Sequence, residues 1–168
     1  EAGPPGAAAV ELARVVDRSI REANAIDVKK LCMEPGEKVW VVSIDVCTIN
    51  ADGNLIDASA LAAIAAIQQV KFPTYDGKKV NYKELTKEKL PIKKVPIAVT
   101  VIKMDSQFLV DPTTEEEEVA DARLTVSVTE EGNLCAMQKG GDQPLTVDDV
   151  DKMVGIAIEK AAELRKVL

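Results

Sequence analysis

The sequence predicts an α+β fold: a mixed or antiparallel sheet packed with helices. Three observations predict it. Amphipathic helical stretches stand near both ends of the chain, at 7–24 and 145–168. A glycine turn leads into a second, alanine-rich helix at 57–70. The second half strings together short β-branched runs, two of them joined by the tight turn "EEGN" at 130–133, as adjacent antiparallel strands require. The first helix follows a proline-rich opening, "EAGPPG", and no strand, so the chain reads as a fold whose front half is missing.

Each element has its own justification. In 7–24, Leu12, Val15, Val16, Ser19, Ile20 and Ala23 recur at three- and four-residue spacing and define one buried helical face. Pro35-Gly36 marks a turn. "VWVVSIDVCTI" (39–49) is nearly all apolar and β-branched on both alternating faces, which predicts a strand covered on both sides. "NADG" (50–53) turns the chain, and Asn54 or Asp57 is placed to cap the helix that follows. That helix presents an alanine surface that lets another element approach closely. Residues 71–95 are lysine-rich and proline-broken, with no sustained period, and read as an extended surface excursion. Strands are expected at 97–104, 107–113, 122–129 and 133–140, with Gly132 taking positive φ in the hairpin turn. In the last helix Thr146 caps the start, Asp148 and Asp149 fill the first turn, and Arg165 and Lys166 the last.

Composition limits the function classes. With 46% hydrophobic but only 3% aromatic residues, the core must be aliphatic. No apolar run approaches the ~18 residues of a membrane span, and no signal peptide is visible, so a cytoplasmic protein is expected. A net charge of −7 argues against nonspecific coating of nucleic acid. The absence of histidine removes the commonest general base and most zinc sites. Cys32, Cys47 and Cys135 have no metal-site spacing and are expected to be reduced, buried thiols.

Four stretches are candidates for chemistry. Arg14, Arg18 and Arg21 fall on one helical stripe, suited to successive phosphates of a nucleic acid strand. The alternative is a solvated face with Asp17 and Glu11 as ion-pair partners. The strand-turn-helix at 51–70 has the form of an anion site, with free N–H groups at a helix start, but Asp57 stands where an anion would go. The run "TTEEEEVADAR" (113–123) is either a solvated acidic loop or, with Asp111, Glu115, Glu117 and Asp121, a metal-dependent nuclease site. The lysines of 71–94 suit a soluble loop, an RNA backbone or an acidic protein surface.

Taken in order, "ELARVVDRSIRE" (11–22), "SIDVCTINADGNLIDASALAAIAAI" (43–67), "VPIAVTVIK" (95–103), "LVDPTTEEEEVADARLTVSVTEEGNLCAMQKGG" (109–141) and the terminal helix resemble the RNase PH family. Within it they resemble the non-catalytic subunits of archaeal exosome rings. The resemblance implies an RNase PH-like βαβα architecture, with 1–168 as the C-terminal portion of a single domain that includes the excursion 71–94. Family members phosphorolyse RNA from its 3′ end, with inorganic phosphate as the nucleophile. Active members carry Ala-Asp-Gly-Gly-Thr-Arg-Thr/Ser where this chain reads Ala51-Asp52-Gly53-Asn54-Leu55-Ile56-Asp57. Their arginine and hydroxyl hold the phosphate. Here Gly53, Asn54, Leu55, Ile56 and Asp57 form a degenerate loop, in which the Asp57 carboxylate is expected to repel an anion. Active members also carry Glu-Ala-Asp-x-Asp where this chain reads Val119-Ala120-Asp121-Ala122-Arg123, so one acid survives as Asp121 and the second has become Arg123. The resemblance thus implies a subunit without chemistry of its own, without cofactor or metal. It would sit in a hexameric ring that alternates with a catalytic RNase PH-like subunit, bind single-stranded RNA through Arg14 and Arg18 at the subunit boundary, with Arg21 matching less clearly, and accept RNA-binding cap proteins. An active phosphorolytic enzyme with an unusual phosphate loop remains the alternative within the family.

Overall fold

The computed structural model describes residues 4–168; the first three residues of the proline-rich opening lie outside them. The centre is a four-stranded antiparallel sheet built from β5 (Ile97–Met104), β6 (Gln107–Val110), β7 (Ala122–Val128) and β8 (Leu134–Gly140), in the order β6-β5-β7-β8. Period-2 alternation gives this sheet two buried faces. Ile97, Val99 and Val101 of β5, with Leu124, Val126 and Val128 of β7, pack on α4 (Val147–Leu164) through Met153, Ala157 and Ala161. The opposite face packs on α1 (Ala7–Glu22) and α2 (Leu55–Gln69), where Val16, Ile20, Ala60, Ala63, Ile64 and Ile67 form a second cluster with Ala98. Small residues on α2 permit the close contact with α1 that the alanine surface predicts.

Local chemistry sets the element ends. Thr146 accepts from the Asp149 N–H while Asp149 accepts from the Thr146 N–H, a reciprocal cap that starts α4. Asp149 also takes an ion pair from Lys103 at 2.8 Å, and these donors hold its carboxyl down at about 2. Gly132 adopts φ +80 in the β7–β8 turn. Arg165 and Lys166 fall in a short 3-10 turn beyond α4, where Arg165 donates to the carbonyls of Val95 and Val128.

Four expectations are corrected. The stretch 39–49 is not a strand beyond its first residue. The two-residue β2 (Lys38–Val39) pairs with β1 (Cys32–Glu34), and residues 41–49 then run without a ladder partner among the described residues. A strand is a property of its neighbours, and β-branched composition alone does not supply one. The alternation survives in part: Trp40 and Val42 pack on the α1–α2 cluster, while Val41 is 81% and Ile49 96% exposed. The excursion is an ordered hairpin of β3 (Lys71–Tyr75) and β4 (Val80–Lys89). The acidic run forms a short helix, α3 (Thr114–Val119), because Thr113 and Glu116 cap each other. Cys32 and Cys47 are exposed rather than buried, Cys47 because it lies in the unpaired stretch; only Cys135 is partly covered.

Candidate functional site

The loop before α2 is shaped by a close backbone approach. Gly53 adopts φ +83, and a Cβ there would stand 2.3 Å from the Pro112 carbonyl oxygen. Only glycine fits, so residues 51–54 lie directly against 111–117. Two stretches far apart in sequence thereby meet. The Asn54 N–H donates to Glu117 Oε1 at 3.0 Å, and Asn54 Nδ2 donates to Asp111 Oδ1 at 2.9 Å. The Thr114 hydroxyl reaches Asp52 at 3.4 Å. Asn54 occupies the N-cap position in left-handed conformation without a side-chain cap, and its Oδ1 is buried without a partner. The N–H at the head of α2 is thus taken by a carboxylate of the chain itself.

Asp57 faces the other way. It is only 7% exposed and turns into the sheet, where it accepts from the Thr100 N–H at 2.8 Å and the Thr100 hydroxyl at 2.7 Å. The Thr100 hydroxyl is in turn 2.8 Å from that of Thr125, its ladder partner. Burial pushes the Asp57 carboxyl from 3.8 up to about 6, the Thr100 donors and Asn54 opposing the rise. This corrects the expectation for Asp57: its carboxylate serves the α2–β5 contact, and the negative group at the loop amide is Glu117. Leu55 and Ile56 are half-buried and border a cavity of about 1080 Å³ between α1, the 42–48 stretch and the head of α2.

The remaining candidates separate. Asp121 Oδ2 accepts from the Asp105 N–H at 2.7 Å, and its own N–H donates to the Lys103 carbonyl, so it braces the β5–β6 turn, where Asp105 takes φ +53. Arg123 pairs with Glu11 and ties β7 to α1; its guanidinium lies where a Cβ on Gly140 would sit. Arg21 is bound to Asp17 and Glu22, and the Asp17 contact raises its proton affinity. With Glu11 and Asp17 both engaged elsewhere, Arg14 and Arg18 have no carboxylate partner among the described residues. They border two hollows that share Gln138 of β8. Asp111, Glu115, Glu117 and Asp121 do not converge: no group of three or more acids or cysteines among the described residues is placed to hold a metal. No helix among them is long and apolar enough to cross a membrane.

Models of the 3′ exoribonuclease family match this chain twice, domain 1 over residues 1–73 and domain 2 over 94–160. The chain belongs to the 3′ exoribonuclease family. Members similar to it include the exosome complex component Rrp42 of Methanothermobacter thermautotrophicus, 46% identical over 98% of this chain and 61% of that protein. Rrp42 of Thermococcus gammatolerans is also 46% identical, over 100% of this chain and 63% of its own length. Among solved structures, the Archaeoglobus fulgidus exosome with RNA bound to the active site superposes with a TM-score of 0.89 at 42% identity, covering 99% of this chain and 63% of the other. A rice Rrp46 structure at 12% identity shares the fold, with a TM-score of 0.62. The chain therefore spans about three-fifths of the family members it matches.

Sequence reasoning named Glu117 only within a metal cluster and missed its contact with Asn54. The two residues are 63 apart in sequence, and no local pattern signals such a pairing. The Thr113–Glu116 cap spacing was the available signal for the helix that carries Glu117.

Proposed function

We propose that this chain is a non-catalytic, RNA-binding structural subunit of an archaeal exosome-type ring in the cytoplasm. It would support phosphorolytic 3′-5′ RNA degradation by a catalytic RNase PH-like partner. The observation that carries this reading is Glu117 seated on the Asn54 N–H. Active family members bring a phosphate nucleophile to this helix start with an arginine. Here Ile56 stands at the arginine position, and a carboxylate already accepts from the loop amide. A second anion would meet like-charge repulsion with no compensating guanidinium. The acid site agrees, since Asp121 is used in a turn and Arg123 in an ion pair.

What the chain contributes instead is binding. Arg14 and Arg18 are cationic, unpaired among the described residues and on one stripe of α1. They suit RNA phosphates fed to the partner's active centre. The test is reconstitution. The chain alone should release no nucleoside diphosphate from poly(A) in phosphate buffer, and the co-assembled ring should release it. Phosphorolysis by the isolated chain would overturn the reading.

A further inference from the structure

Residues 71–94 hold eight lysines and three acids in a chain of net charge −7. Lys93 and Lys94 are neutralised by Asp27 and Glu131. On the β3–β4 hairpin itself, Lys71, Lys83, Lys87 and Lys89 have no carboxylate within salt-bridge distance among the described residues. Lys71 and Lys89 are direct ladder partners. Like charges facing each other across a ladder are destabilising, yet this pair stands in a chain rich in carboxylates.

The hairpin is also bulged in a specific way. Pro73 pairs with Leu85 while the next residue, Thr74, pairs with Asn81. Tyr82, Lys83 and Glu84 therefore stand out of register opposite Pro73, which has no N–H to give the ladder. Tyr82 is 77% exposed. A second irregularity between Lys71 and Pro73 loosens the stretch that carries Lys87. The hairpin is anchored at both ends: beside its turn the Tyr75 hydroxyl lies 2.9 Å from both Glu34 and Lys38, and toward its base Phe72 packs on Trp40 with ring centroids 5.6 Å apart.

We infer that the β3–β4 hairpin is a second RNA contact surface. Lys71, Lys83, Lys87 and Lys89 would take phosphates, and Tyr82 would stack a base. An exposed aromatic beside a lysine on a bulge is the combination that sequence-tolerant single-strand sites use; an acidic protein surface would be met by the lysines alone. The inference rests on the reading of this chain as an RNA-binding subunit, and adds a surface distinct from the α1 arginines.

The test measures binding of a 5′-fluorescein oligoadenylate in phosphate-free buffer across a salt series, with the full chain alone and with the assembled ring. K83A/K87A/K89A should flatten the slope of log K against log salt by about 2, since each lost single-strand phosphate contact contributes about 0.7. Y82A should weaken binding about tenfold or more with the slope unchanged. The triple Lys→Arg variant should bind like the parent, which separates lost charge from misfolding. Unchanged affinity and slope in the alanine variants overturn the inference. So does loss of an acidic protein partner with RNA binding intact. If no ring forms while the chain alone shows these effects, the ring reading fails and the hairpin surface stands.

Discussion

Asp57 offers the sharpest quantitative test. Its carboxyl is buried between α2 and β5, where burial outweighs the Thr100 donors and Asn54, and its proton affinity is raised from 3.8 to about 6. At about 1.4 kcal/mol per tenfold change in proton affinity, the ionised form costs the folded state about 3 kcal/mol at neutral pH. The folded protein holds this proton more tightly than the unfolded chain. Stability contributed here is therefore present below about pH 4, lost as pH rises to about 6, and level above that. Asp57→Asn removes the charge while keeping an oxygen for the Thr100 N–H and an N–H for the Thr100 hydroxyl, which is then free to donate to Thr125. The variant should match the parent near pH 4 and exceed it by on the order of 1–3 kcal/mol at pH 7. Urea unfolding of both proteins across this range measures the gap, and the pairwise comparison cancels every other titrating group. A gap independent of pH, or one that widens on acidification, refutes the reasoning.

Other outcomes follow from the same geometry. Gly53→Ala places a Cβ against the Pro112 carbonyl at a positive φ and should cost about 2 kcal/mol or more, read as a lowered melting temperature. Met153→Ala opens a cavity beneath fully buried β5 and β7 side chains and should cost about 2–5 kcal/mol in denaturant unfolding. Arg14→Glu with Arg18→Glu should weaken RNA binding by the assembled ring at low salt while its mass stays unchanged. Orthophosphate should not raise the melting temperature of the chain above the effect of equal ionic strength, because a ligand that binds the native state must stabilise it. A saturable rise would mean that Glu117 does not close the loop.

What the sequence carries plainly is what neighbours in sequence decide. The alternation in β5 and β7, the spacing of Val16 and Ile20 in α1 and the Thr146–Asp149 cap all appear where the pattern places them. The candidate site is legible only as residues, the resemblance singling out Ile56 and Arg123 as departures from the pattern it expects. It is illegible in its geometry. Asp57 turns inward because Thr100 lies across a helix-sheet contact, and Glu117 reaches Asn54 because Gly53 lets two distant backbones touch. Both facts depend on tertiary packing that no local period encodes. The 41–49 stretch fails for the same reason in reverse, its composition being ready for a ladder that the described residues do not complete.

That stretch has a practical consequence. Val41, Val46, Cys47 and Ile49 lie bare beside amides and carbonyls that have no ladder partner among the described residues, and Asp45 is the one charge between Val39 and Ile49. A single gatekeeping carboxylate is thin protection against self-association through such an edge. In solution by itself the polypeptide should aggregate as its concentration rises, so solubility becomes a sensitive gauge of whether that row of backbone groups has found its match.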